Sequence, residues 1–172
     1  NLRALCGEIV SVQAAASSAT RHHAVEDTMA MLLRFAGGAL GTFIVSDAAA
    51  SARSWEQTSQ ENKAYATYPD EDCYVLAGTR GSLSFPTMRI KRYERDDDRS
   101  WWNPMRAETA EVTRDDPLVR QLAHFCAIVR GEAAPLVTVQ DGLQNLRVVD
   151  AIMEAARTGG VVDLTSVEVA TA

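Results

Sequence analysis

The hydrophobic period changes once along this chain, from two residues to about 3.6, and that change fixes its class of fold. Side chains alternate across a strand and return to one face of a helix about every 3.6 residues. Up to Val112 the apolar positions alternate or come in short runs. Ile9, Val10 and Val12 start a strand, and in Glu26–Phe35 the residues Met29, Met31 and Leu33 oppose Thr28, Leu32 and Arg34. Leu40–Val45, Cys73–Ala77, Ser82–Phe85, Met88–Tyr93 and Ala107–Val112 continue the pattern. Gly37-Gly38 and Gly78-Thr79-Arg80-Gly81 predict hairpin turns between strands.

From Asp116 the period is helical. Asp116 before Pro117 is a favoured helix start, and Leu118, Leu122, Phe125, Cys126 and Val129 form a stripe that ends at Gly131. Thr138-x-x-Asp141 predicts a capping box with Asp in place of Glu. The second helix then turns Leu143, Leu146, Val149, Ile152, Met153 and Ala156 inward and stops at Gly159-Gly160. Val161, Val162 and Leu164 predict a final strand. Strands followed by helices predict an α+β fold: a largely antiparallel, open-faced sheet with helices packed on one face. No repeat or internal boundary interrupts the 172 residues, which read as one domain.

The formal net charge is −6 with no basic stripe, which argues against nucleic acid and anionic membrane surfaces as partners. No apolar run reaches the roughly 20 residues of a membrane span. Cys6, Cys73 and Cys126 are scattered and odd in number, the pattern of free thiols in a reducing compartment, so the cytoplasm is expected.

Few sites of chemistry are visible. Neither glycine-rich turn stands between a strand and a helix N-terminus, as a phosphate cradle requires. His22 and His23 point to opposite faces of a strand, His124 lacks a partner at ligand spacing, and Cys126 lies on an apolar stripe, so no metal site or nucleophile is expected. Asp70-Glu71-Asp72 and Asp96-Asp97-Asp98 read as solvated loop edges. The loop Ser51–Asp70 is long, polar and aromatic, a composition suited to a small polar ligand. Arg53, Trp55, Glu56, Asn62 and Tyr65 are its candidate substrate contacts. The alternative is a surface loop anchored by Trp55 and Tyr65 packing on the sheet.

Several short motifs occur in a telling order. These are Cys6-Gly7-Glu8-Ile9-Val10-Ser11-Val12, the Gly-Gly turn followed by Ala39-Leu40-Gly41-Thr42-Phe43, and Gly78-Thr79-Arg80-Gly81-Ser82-Leu83. His124-Phe125, Arg130-Gly131-Glu132, Pro135 and Asp141-Gly142-Leu143 follow. Over essentially its whole length the chain resembles the C-terminal domain of the Gfo/Idh/MocA oxidoreductases. The resemblance implies a two-domain enzyme in which an N-terminal Rossmann domain binds NAD or NADP and supplies a Lys. It also implies a sugar, polyol or similar small polar substrate and a homo-oligomer formed through the open sheet face.

The family's D-x-x-x-H segment lies on the helix entering the first strand, its His acting in proton transfer. Asn1–Leu5 reads as the tail of that helix, stopped by Cys6-Gly7, so the chain is expected to be the C-terminal part of a longer enzyme. It then carries no catalytic or cofactor-binding residue and is inactive alone. Met29, Met31 and Leu33, with Phe43 and Val45, line either the pairing face or the core under the helices. Two other readings remain: a non-catalytic α+β binding or scaffold domain, and a cofactor-independent hydrolase using Asp70, Asp72 or His22.

Overall fold

A computed structural model describes residues 1–165. In chain order the elements are α1 (Leu2–Cys6), β1 (Ile9–Ser17), β2 (Thr28–Phe35), β3 (Leu40–Ser46), α2 (Trp55–Ser59), β4 (Tyr74–Ala77), β5 (Gly81–Phe85) and β6 (Arg89–Arg92). A 3-10 turn (Asp96–Asp98), β7 (Arg106–Thr109), α3 (Pro117–Val129), α4 (Val139–Thr158) and β8 (Val161–Asp163) complete them. The fold is α+β, as the change of period requires. The strands form two four-stranded antiparallel sheets, β3-β2-β1-β8 and β4-β5-β6-β7, where a single sheet was expected. The backbone accordingly falls into two compact units, residues 50–134 forming one and the flanking segments the other.

In the flanking unit, β2 alternates strictly: Met29, Met31, Leu33 and Phe35 are buried, and Ala30, Leu32 and Arg34 are exposed. The buried row joins Ile9, Val12 and Ala14 of β1 and Val148, Ala151 and Ala155 of α4 in one core. Met29, Met31 and Leu33 therefore belong to the core, and Phe43 packs against it. The open face is the other one, where Ala15, Ala30, Leu32, Leu40, Ile44 and Val161 are all exposed.

The helix faces correct the expected pattern. Leu143, Leu146, Val149 and Met153 are exposed, while the small residues Ala151 and Ala155 take the places nearest the sheet. A small side chain lets a helix backbone approach closely, so the widest apolar residues need not mark the inner face. On α3 the stripe residues Leu118, Leu122, Phe125 and Val129 are exposed, and Cys126 is half-buried.

The ends of the helices follow their sequence signals. Asp116 accepts hydrogen bonds from Leu118 N–H at 2.9 Å and Val119 N–H at 3.3 Å, with Pro117 in the first turn. Thr138 Oγ1 accepts from Asp141 N–H at 3.1 Å, and Asp141 Oδ2 accepts from Thr138 N–H at 2.9 Å, completing the capping box. Arg3 then fastens α1 to this corner. It spends all five guanidinium N–H donors: two on Glu8, two on Asp141 and one on Asn145, at 2.7–3.3 Å. The β2–β3 connection is longer than a two-residue turn, and of its two glycines only Gly38 takes a positive φ, of 86°.

Asp27 organises the connection between β1 and β2. Its buried carboxylate accepts from the Thr20 and Arg21 N–H groups, each at 2.9 Å, and from Thr28 Oγ1 at 3.0 Å. The Arg21 N–H foremost, aided by Thr28 and Thr20, holds the carboxyl below its ordinary range against the opposing effect of burial. A depressed folded-state pKa stabilises the protein above the unfolded pKa, and that contribution is lost as pH falls through the folded pKa. Asp27→Ala is therefore expected to lower the melting temperature at neutral pH, and the gap from the parent should shrink on acidification. Melting curves across the acidic range check this, and a gap independent of pH would refute it.

Candidate functional site

The connection from β3 to β4 holds the candidate substrate residues, and its short helix positions them. Ser54 caps α2, its Oγ accepting from Gln57 N–H at 3.2 Å, and Gln60 ends the helix in the left-handed region at φ 60°. Thr58 and Ser59 are buried. Thr58 Oγ1 donates to the Ser54 carbonyl at 2.8 Å, and the Ser59 carbonyl accepts from Arg114 at 3.1 Å. Both side chains are hydrogen-bonded as buried polar groups require, Ser59 Oγ accepting from Glu61 N–H at 3.4 Å.

Trp55 opens α2 and is half-buried. Its indole N–H donates to Glu61 Oε2 at 2.9 Å, and its ring meets Tyr74 of β4 with centroids 5.7 Å apart and planes tilted by 33°. Trp55 is thus an anchor of the loop on the sheet. Tyr65, the second anchor proposed from sequence, is exposed. Arg53 pairs through Nε with Glu71 at 3.0 Å, and both groups remain open to solvent. Glu56 lies exposed in the first turn of α2. Asn62 forms a turn, its Oδ1 accepting from Ala64 N–H at 3.0 Å and its carbonyl from Tyr65 N–H at 3.4 Å.

That last bond links two of the five residues directly. Glu61 and Tyr74 were not foreseen. Their signals were weak: an acid six residues beyond the indole, and an aromatic residue opening a strand.

The loop is closed at its far end by Asp72, which accepts from Thr87 N–H at 3.1 Å, Thr87 Oγ1 at 2.6 Å and Arg89 at 2.5 Å. Burial pushes the Asp72 carboxyl up, but the bonds from Thr87 and Arg89 together outweigh it and hold the group below its usual range. An ionised carboxylate so occupied is a brace.

Among the described residues no group of three or more His, Cys, Asp and Glu is arranged to hold a metal ion. Both glycine-rich turns join strand to strand, so neither aims a helix N-terminus at a pyrophosphate.

The profile of an oxidoreductase family, C-terminal alpha/beta domain, matches residues 2–164. No curated protein sequence matches the chain. Solved structures share its fold. An aldose-aldose oxidoreductase from Caulobacter crescentus, complexed with glycerol, is 23% identical with a TM-score of 0.65 over 94% of this chain and 43% of its own. The WlbA dehydrogenase from Bordetella pertussis, in complex with NADH and UDP-GlcNAcA, is 23% identical with a TM-score of 0.58 over 95% of this chain and 41% of its own. A levoglucosan dehydrogenase in complex with NADH and levoglucosan is 19% identical with a TM-score of 0.64 over 96% of this chain and 47% of its own. The chain spans less than half the length of each of them. With the family's profile matched from Leu2 to Leu164, the chain belongs to the Gfo/Idh/MocA oxidoreductase family, as a C-terminal alpha/beta domain.

Proposed function

We propose that residues 1–172 act as one substrate-binding and oligomerisation domain of an NAD- or NADP-dependent oxidoreductase that works on a sugar, polyol or similar small molecule in the cytoplasm. The family match over nearly the whole chain carries this reading. Three free thiols and the relatives solved with NADH and sugar-like ligands support it. So does the exposed apolar stripe of α3, since a soluble chain rarely leaves such a surface uncovered.

In this reading the cofactor and the proton-transfer group belong to an upstream domain, and the present chain shapes the substrate side. Tyr65 offers an open phenol face, Asn62 and Glu56 offer polar groups, and Arg53 and Trp55 hold the loop in place. The purified chain is expected to give no turnover of NAD or NADP with any sugar or polyol. Joined to an upstream cofactor-binding domain of its own gene, it is expected to turn over. Asn62→Ala and Tyr65→Ala in that longer protein should each raise KM roughly tenfold, the scale of one lost polar or aromatic contact. Cofactor-dependent turnover by the chain alone would overturn the assignment.

The open face of β1, β2 and β3 supplies the proposed subunit contact. Leu32 and Ile44 stand exposed on it. Ile44→Lys is expected to shift the protein to a smaller species in sedimentation equilibrium, because a charge buried without a partner opposes pairing. An unchanged assembly state would place the contact elsewhere.

A further inference from the structure

α1 has only five residues, and isolated helices shorter than about 12–15 residues are marginal in water. Two sets of contacts hold it. Leu2 and Cys6 pack against the core of β1, β2 and α4. Arg3 reaches the first turns of α4, donating to the Asp141 carbonyl at 3.1 Å, Asp141 Oδ1 at 3.3 Å and Asn145 Oδ1 at 3.0 Å.

The connections of the two helices set their directions. Only Gly7 and Glu8 separate α1 from β1, so a helix that packs Leu2 and Cys6 on the core of that strand folds back over it. Only Gly159 and Gly160 separate α4 from β8, and β8 is antiparallel to β1, so α4 runs the way β1 runs. The helices are thus antiparallel, tied together by Arg3. Any chain that precedes Asn1 heads along α4 towards its C-terminal end.

An uncovered seam lies along that path. Gly142, Leu146, Val149 and Met153 follow one another at spacings of four, three and four, the seven-residue period on which a second helix packs. Leu146, Val149 and Met153 are exposed. A Cβ at Gly142 would meet nothing within 4 Å, so another backbone can come close there. The seam starts beside Asp141, at the Arg3 tie.

The chain spans less than half of its solved relatives, and in the two-domain enzyme proposed for it, on which this contact rests, a further segment precedes Asn1. We infer that α1 is the end of a longer helix of the upstream domain, and that this helix lies antiparallel along the Gly142–Met153 seam of α4. Arg3 is then the joint that fixes the upstream domain on the substrate side.

Methionine oxidation by hydrogen peroxide, read by peptide mass spectrometry, tests the contact in the 172-residue chain and in the longer product of its own gene. Met153 and Met105 are 44% and 42% exposed, so in the chain alone they should oxidise at similar rates, with the buried Met29 and Met31 far slower. In the longer protein Met153 is expected to slow roughly fivefold or more. Val149→Glu should lower the melting temperature of the longer protein by about 3 °C or more. The same change should leave the chain alone unaffected.

Equal Met153 rates in the two proteins would overturn the contact, as would equal effects of Val149→Glu in both. A Met153 that is slow in the chain alone and quickens on dilution would assign the seam to a second copy and also overturn it. Protection of Met153 in a longer protein that turns over neither NAD nor NADP would keep the contact and remove the proposed function. Turnover without protection would do the reverse.

Discussion

Phe35→Ala is expected to cost about 3–5 kcal/mol, the range for a fully buried aromatic side chain. Phe35 is 2% exposed and ends the buried row of β2, where its backbone N–H also donates to the Ala39 carbonyl at 2.9 Å to close the hairpin. Its ring lies opposite Gly41 of β3, so close that a Cβ at Gly41 would come within 3.2 Å of it. The site is therefore filled from both strands, and truncation leaves a void that two hydrogen-bonded strands cannot collapse into. Domains of this kind have about 5–15 kcal/mol in total, so the variant approaches the edge of folding. Urea unfolding followed by far-UV circular dichroism reads the loss through α4, the long helix of the same core. A shift worth less than about 1 kcal/mol would mean that the ring is not a keystone of that core.

Gly81→Ala should be the most damaging small change in the second sheet. Gly81 pairs with Arg92 across β5 and β6, and an added Cβ would sit 2.7 Å from Arg92 Cβ and 2.8 Å from Arg92 Cα, besides striking the Lys91 carbonyl oxygen. The obstacles are backbone and Cβ atoms, which cannot swing aside, so β5 must leave β6. Overpacking of this sort costs about 1–3 kcal/mol. Gly78, at the other end of the same turn, would put a Cβ 3.7 Å from its nearest neighbour, an ordinary contact. Gly78→Ala is thus the internal control and should be nearly silent. Trp55, Trp101 and Trp102 all lie in the unit that contains this sheet, so intrinsic fluorescence during urea unfolding measures the comparison there. Equal effects from the two alanines would refute the steric account.

This pair of glycines also marks how far the sequence could be read. Gly78-Thr79-Arg80-Gly81 is legible as a turn because glycine permits one, but the need at Gly81 comes from a strand ten residues away. Both helices were legible at their ends, since Asp116-Pro117 and Thr138-x-x-Asp141 act through local backbone groups. Their packing was not: α4 buries Ala151 and Ala155, and period alone does not say which of two adjacent stripes a sheet will accept. The strands of β1 to β3 followed from alternation, whereas the separation into two sheets depends on which edges meet. In the candidate loop, Trp55 could be read as a ligand wall or an anchor, and its contacts with Glu61 and Tyr74 depend on a strand far along the chain that no local pattern announces. The exposure of the indoles at Trp101 and Trp102 gave no periodic signal, because they lie in a loop.

The pairing of β1 with β8 also sets an order of events at synthesis. Val12 opposes Val162, so a strand made early finds its second neighbour only after nearly all the intervening chain has emerged. Residues 50–134 make their own sheet between adjacent strands and have no such wait. Contacts distant in sequence form slowly because a long loop must close first. The middle of the chain can therefore be folded on the ribosome while β1 still carries an open edge. A nascent chain halted before Val161 would expose that edge to any passing strand.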